Sequence, residues 1–163
     1  MSFDPIMIRI DDRLIHGQVL VGWMSSYPIK HLIVGNNHIA ANEWERNLLL
    51  MAAPSNLDTR VLSLNDTLLY IRQHLDAPDI SMILLNSPND VKKLFEQGLS
   101  IMEINVGGIH FDEGRTEYLP YLYLDMQEVK LFKELIEAGF VFECQDVPNG
   151  SKYNLHKLLE KKS

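Results

Sequence analysis

The sequence predicts an α/β fold: a single domain over residues 1–163 with an open, mainly parallel β-sheet and helices on both faces. Three observations carry this expectation. Short apolar runs alternate with amphipathic stretches along the chain, and strand–helix–strand alternation implies right-handed crossovers and a parallel sheet. Helix-capping residues punctuate the stretches between the runs. Neither a repeat, a low-complexity segment nor a linker-like shift in composition divides the chain.

The predicted strands are Ile6–Ile10, His31–Val34, Arg60–Ser63, Ile80–Asn86, Ile101–Asn105, Tyr121–Leu124 and Phe140–Cys144. Each is short, rich in Ile, Val, Leu or aromatic residues, and bounded by Asn, Asp, Gly or Pro. A first helix is expected around Val19–Met24. Asn42 can cap a helix with Glu45 three positions on, Ser87 precedes Pro88 and Asp90, and Asp125 precedes Glu128 in the same spacing. Leu48, Leu49, Met51 and Ala52 form one helical stripe; Val129, Leu131, Phe132, Leu135 and Ile136 form another. Gly98 and Gly139 stand where helices stop. A terminal helix is expected over Asn154–Lys162, after the Pro148-Asn149-Gly150 turn.

Composition narrows the function. Acidic residues outnumber basic ones, 22 to 15, for a net charge of −7, which disfavours nucleic acid because that binding neutralises phosphates with Lys and Arg. A lone cysteine, Cys144, excludes an internal disulfide and fits a reducing compartment. No apolar run approaches the roughly 20 residues of a membrane span. Met1–Ile10 carries acidic Asp4 and lacks the layout of a secretory signal. A cytoplasmic protein is expected.

In open parallel sheets, ligands sit beyond the carboxyl ends of the strands. The loops expected there are Asp11–Gly17, Gly35–Asn42, Ser63–Asp66, Asn86–Asp90 and Val106–Tyr118. The first carries the chemistry: Asp11-Asp12-Arg13-Leu14-Ile15-His16-Gly17-Gln18. A neutral imidazole at His16 keeps one lone pair for attack on phosphorus. Arg13 can meet the added charge with forked hydrogen bonds, and the backbone N–H groups of Gly17 and Gln18 can cradle phosphate oxygens. Asp11 or Asp12 can orient the ring or the arginine. On spacing alone, such a histidine is more often a structural residue, the acidic pair ordinary loop chemistry and Arg13 a solvated charge.

The segment Arg9–Val19 reads Arg-Ile-Asp-Asp-Arg-Leu-Ile-His-Gly-Gln-Val. It resembles the active-site loop of the IIB components of the sugar phosphotransferase system (PTS), mannose/fructose/sorbose family. The likeness continues through Gly22-Trp23, His31–Val34, Leu48–Pro54, Val61-Leu62-Ser63 and Ile104–Gly108, and fades in the final helix. It implies a protein-Nπ-phosphohistidine–sugar phosphotransferase, peripherally associated with a membrane transporter. A IIA component passes a phosphoryl group to His16, which passes it to a sugar held by membrane IIC and IID components. Arg13 would then be the phosphate partner and Asp11 an orienter, with no metal or organic cofactor. The Gly107-Gly108-Ile109-His110 stretch is closest to members handling N-acetylgalactosamine or related amino sugars. The resemblance also raises a homodimer.

Two other classes stay open. A regulatory or binding module of the same fold is suggested by Asn36, Asn37 and Asn42, where similar sequences often carry Asp. A hydrolase would use His16 with Asp11 as a general-base pair. His110 is expected to be a loop residue without a chemical role. The six histidines show no i, i+4 metal spacing, and Gly107-Gly108 lacks the lysine of a nucleotide loop. Trp23 and Trp44 are expected as core or interface fillers, and Lys157, Lys161 and Lys162 as a solvated face.

Overall fold

A computed structural model describes residues 3–162. Met1, Ser2 and Ser163, which the sequence reading includes in the domain, lie outside the described residues. Seven strands form the main sheet in the order β3-β2-β4-β1-β5-β8-β9. They are β1 (Ile6–Asp11), β2 (Ile29–Gly35), β3 (Asp58–Leu62), β4 (Ile80–Leu85), β5 (Glu103–Gly108), β8 (Val141–Cys144) and β9 (Tyr153–Asn154). Every pairing is parallel except that of β8 with the two-residue β9. The strands β6 (Thr116–Leu119) and β7 (Leu122–Leu124) form a separate antiparallel hairpin. The expected open, mainly parallel sheet is present.

Helices cover both faces, and side-chain alternation in the strands feeds two cores. On one face Ile6, Ile8 and Ile10 of β1 pack with Leu68 and Ile71 of α4 (Leu64–Gln73), Val91 and Leu94 of α5 (Pro88–Glu96), Phe132 and Leu135 of α6 (Met126–Glu137), and Leu155 and Leu159 of α7 (Leu155–Lys162). On the other face Leu32, Val34, Met82 and Leu84 pack with Leu20 and Trp23 of α1 (Gly17–Ser26). Leu49 of α3 (Glu43–Met51) joins that second core from the rim. All six residues of β4 are buried, which is why Ile80–Leu85 reads as a continuous apolar run. Burying each such Leu, Ile or Phe contributes about 1.5–3 kcal/mol.

The capping predictions meet mixed outcomes. Asn42 accepts from the Glu45 N–H at 3.0 Å, and Asp125 and Glu128 form a reciprocal capping box. Ser87 occupies the N-cap of α5 before Pro88, but its side chain makes no cap hydrogen bond. Gly98 and Gly139 end α5 and α6 with φ of +104° and +116°, a region costly for other residues. Residues 37–41, expected as loop, form a short helix, α2 (Asn37–Ala41).

Four expectations need correction. Tyr121–Leu124 is not a strand of the main sheet. Leu122–Leu124 pairs with Thr116–Leu119 instead and is tied to the end of β5 by Ile109 N–H to Tyr121 O (3.0 Å) and Tyr123 N–H to Ile109 O (2.7 Å). Gly107 and Gly108 belong to β5 rather than to the loop after it. The stripe on α3 also divides: Leu49 faces the core, while Trp44, Leu48 and Met51 are exposed. Trp44 is thus no core filler, whereas Trp23 is fully buried.

A concavity of about 650 Å³ runs along the earlier parts of β1, β5 and β8, and no residue of Asp11–Gln18 lines it. Among the described residues no helix is long and apolar enough to cross a membrane.

Cys144 is fully buried, and burial pushes its thiol up to about 12. Only the thiolate reacts with disulfide reagents. The native protein should therefore release no colour with Ellman's reagent at pH 8, and one equivalent per chain after denaturation. Rapid native reaction would refute the packing of β8.

Candidate functional site

The site is built where β1 ends. Asp11 is buried, and its carboxylate is held by Arg13: Nε donates to Oδ1 at 3.1 Å, Nη2 to Oδ2 at 3.0 Å, and the Arg13 backbone N–H to Oδ1 at 3.0 Å. A second guanidinium, Arg9 Nη2, lies 3.8 Å from Oδ2. A buried carboxylate needs such partners, because leaving its charge uncompensated costs several kcal/mol.

Arg9 is itself 1% exposed. It donates to Asn105 Oδ1, to Gln145 O at 2.9 Å and to Asp146 O at 2.8 Å, and it stacks over Trp23 at 4.8 Å. Burial pulls its pKa from 12.5 down to about 10, although Asp11 opposes the shift; Arg9 stays cationic at neutral pH. The guanidinium lies so close to β5 that a Cβ on Gly107 would sit 2.1 Å from Arg9 Cζ. That approach is the reason for glycine there.

After Arg13 the chain turns through Leu14, whose φ of +56° is the sole positive value at a non-glycine position among the described residues. Such a conformation costs on the order of 1–3 kcal/mol. Leu14 and Ile15 offset it by burying their side chains against the core of α1, and the Leu14 N–H closes the turn onto Asp11 O at 2.9 Å. The turn delivers His16 to the N-cap of α1 with its side chain exposed. Its carbonyl accepts from Leu20 N–H at 3.1 Å, but the imidazole makes no cap bond. The N–H groups of Gly17 and Gln18 therefore stand at the positive end of a ten-residue helix without a side-chain cap.

Asp12 points the other way, into the end of β5. Its Oδ2 accepts from the His110 backbone N–H (2.8 Å), its Oδ1 contacts the His110 ring Nδ1 (2.6 Å), and its own N–H donates to Gly108 O (3.0 Å). Asp11, Asp12 and His110 present three potential metal-ligating atoms within 4.8 Å of one another. The Asp11 carboxylate is already filled by two guanidiniums, so this cluster is an ion-pair network rather than a metal cage.

The five residues singled out from the sequence fall in one short segment, but with a division of labour that spacing did not reveal. Asp11 orients Arg13, its two carboxylate oxygens are engaged by Arg13, and among the described residues no hydrogen bond joins it to the His16 ring, so the geometry lends a His16–Asp11 hydrolase pair no support. Asn36 caps α2 through Ile39 N–H (2.9 Å), and Asn37 accepts from Leu64 N–H (2.8 Å), so both brace the neighbouring loops. Asn42 likewise caps α3 through Glu45 N–H at 3.0 Å. Lys157, Lys161 and Lys162 are exposed; Lys162 reaches Glu117 O and lies 5.1 Å over Tyr118. Sequence reasoning gave Arg9 no role of its own and read His110 as a loop residue without one. Arg9 did carry a signal, a charge in an alternating apolar strand, but its partners come from residues 96 or more positions away.

With this geometry in view, the relatives can be compared. A family model described as the PTS system sorbose subfamily IIB component matches residues 6–163. The chain belongs to that family. A fructose-specific EIIB component from Bacillus subtilis is 29% identical over 94% of both chains. A mannose-specific EIIAB component from Escherichia coli is 31% identical over 95% of this chain, which spans about half (48%) of that relative's length. Among solved structures, the IIB domain of the sorbose permease from Klebsiella pneumoniae superposes with a TM-score of 0.85 at 28% identity, covering 97% of this chain and 98% of its own. The Escherichia coli N-acetylgalactosamine-specific IIB component 1 gives 0.80 at 30% identity, covering 90% and 97%. This IIB chain is thus a member of a family of sugar-transport components.

The close approach of Gly107 to Arg9 yields a test. Gly107→Ala should displace the guanidinium from beneath Asp11 and cost about 1–3 kcal/mol in urea unfolding, the range for overpacking a filled site. An unchanged midpoint would show that the Arg9 cluster does not hold the loop.

Proposed function

We propose that this IIB chain is a phosphocarrier in sugar uptake: it accepts a phosphoryl group from a phosphorylated IIA component on His16 and hands it to a sugar held by membrane IIC and IID components. The observation that carries this reading is the His16 imidazole, exposed and uncapped at the N-terminus of α1, three residues after an arginine whose carboxylate partner already holds it in place. In the first step a His16 ring nitrogen lone pair forms the N–P bond. The N–P bond of the donor phosphohistidine breaks, and its electron pair returns to the donor ring. In the second step a sugar hydroxyl attacks phosphorus, the His16 N–P bond breaks, and the hydroxyl proton passes to solvent or base. Such transfers depend on positioning and charge compensation.

The chain's own groups supply both. Gly17 and Gln18 N–H groups and the α1 dipole favour the incoming anion. Arg13 engages Asp11 through Nε and Nη2, and Nη1 takes no part in that fork, so the guanidinium can turn a donor toward phosphate while staying anchored. The acceptor is a hexose or amino sugar. N-acetylgalactosamine is the candidate that the Gly107–His110 stretch favours, and two relatives bear names specific for it. The protein would work at the cytoplasmic side of the membrane.

Mixing the chain with phosphoenolpyruvate, the general PTS proteins and a IIA partner should place an acid-labile, base-stable phosphate on His16. His16→Ala should abolish labelling while leaving the urea midpoint within about 1 kcal/mol of wild type, as expected for an exposed side chain; normal labelling of that variant rejects the assignment. Arg13→Ala should slow phosphorylation about 10- to 100-fold, the equivalent of a lost charge-assisted bond of about 1.5–3 kcal/mol. Arg13→Lys should recover only part of the rate, because lysine keeps the charge without the planar fork. Unchanged kinetics for both would take Arg13 out of the transfer step.

A further inference from the structure

We propose that His110 is a positioning residue for His16, acting through Asp12: its ring and backbone N–H clamp the Asp12 carboxylate and hold residues 12–16 in the shape that presents His16 to its donor. The inference rests on His16 being the phosphoryl acceptor.

The clamp uses both oxygens of Asp12, one at 2.8 Å from the His110 backbone nitrogen and one at 2.6 Å from ring Nδ1. With Asp12 N–H on Gly108 O, three hydrogen bonds join the start of the loop to the end of β5. The far end is pinned where His16 becomes the N-cap of α1. Between the two anchors stands Leu14 at φ +56°. A strained residue relaxes unless its surroundings over-determine it, so releasing the Asp12 anchor lets the segment between them drift. His110 is itself braced. Its carbonyl accepts from Arg115 Nη1 at 2.8 Å, and Arg115 Nε donates to Glu128 Oε1 at 3.0 Å, within the capping box of α6. The His110–Asp12 pair is 40% and 26% exposed at its side chains, so its contribution to global stability is small and its variants should fold.

The experiment measures initial rates of phosphoryl transfer from a phosphorylated IIA donor at varied donor concentration, amide hydrogen exchange over residues 13–17, and urea unfolding. His110→Ala should lower kcat about 10-fold or more with the donor KM within about twofold, because small misplacements of a reacting group are costly to rate. It should also speed exchange at residues 13–17 about 10-fold, and leave the urea midpoint nearly unchanged. His110→Asn carries an amide N–H where the ring carries Nδ1–H, and should restore both rate and exchange to within about threefold. Unaltered kcat and exchange in the Ala variant overturn the proposal. So does an Asn variant that restores exchange but not kcat, since the ring would then touch the phosphoryl group itself. If the wild-type chain takes no label, the His16 reading fails, and the exchange data decide the clamp alone.

Discussion

The site depends on a buried negative charge with two cationic partners. Asp11 sits at the last position of β1, out of water, between Arg9 below and Arg13 above. Each guanidinium also reports to a different part of the protein. Arg9 binds Asn105 of β5 and the carbonyls of Gln145 and Asp146 after β8, so it stitches three neighbouring strand ends together. Arg13 faces outward, with its side chain a third exposed. Removing one partner of a buried ionic group costs more than the group's net contribution, because a desolvated charge is left behind. The arrangement therefore fixes the direction in which the loop can leave the sheet.

That direction has chemical consequences. The chain is acidic overall, yet the phosphoryl group proposed for His16 would bring nearly two more negative charges. The loop answers with a helix N-terminus, backbone donors and one arginine whose counterion is intramolecular and immobile. Using Asp11 to hold Arg13 means that little side-chain entropy remains to be lost when the anion arrives, the economy that preorganised sites rely on. Asp12 meanwhile is turned to His110, so the two adjacent carboxylates serve opposite walls of the same crevice.

The fold supplies the crevice. The core clusters place α1 on one face of the sheet and α6 on the other, so the chain leaves β1 and β5 in opposite directions and opens a gap at their carboxyl ends. The broad groove along the earlier parts of β1, β5 and β8 is a separate feature, with no residue of the Asp11–Gln18 loop in its lining. The solved relatives share this sheet at 28–30% identity, a level at which the backbone is retained while much of the surface differs.

Much of this was legible in the chain itself. Apolar runs and caps located six of the seven main-sheet strands to within a few residues, because period and capping are local properties that short-range sterics and hydrogen bonding impose. The missing one, β9, has two residues and exists only through its pairing with β8. The fate of Tyr121–Leu124 was likewise undecided locally: its apolar pattern suits any sheet, and only the tether to Ile109 made it half of a hairpin. The Asp11–Gln18 loop could be read as a candidate site because its parts are contiguous. Arg9 and His110 could not, since their meaning lies in partners about a hundred positions away. Sequence alone determined which residues sit at the end of β1 and that they suit phosphate chemistry. Tertiary structure decided what Arg9 and Asp12 would meet beyond their own segment, because contacts with Asn105, Gln145, Asp146 and His110 are settled by how strands are ordered in the sheet and not by how residues are ordered in the chain.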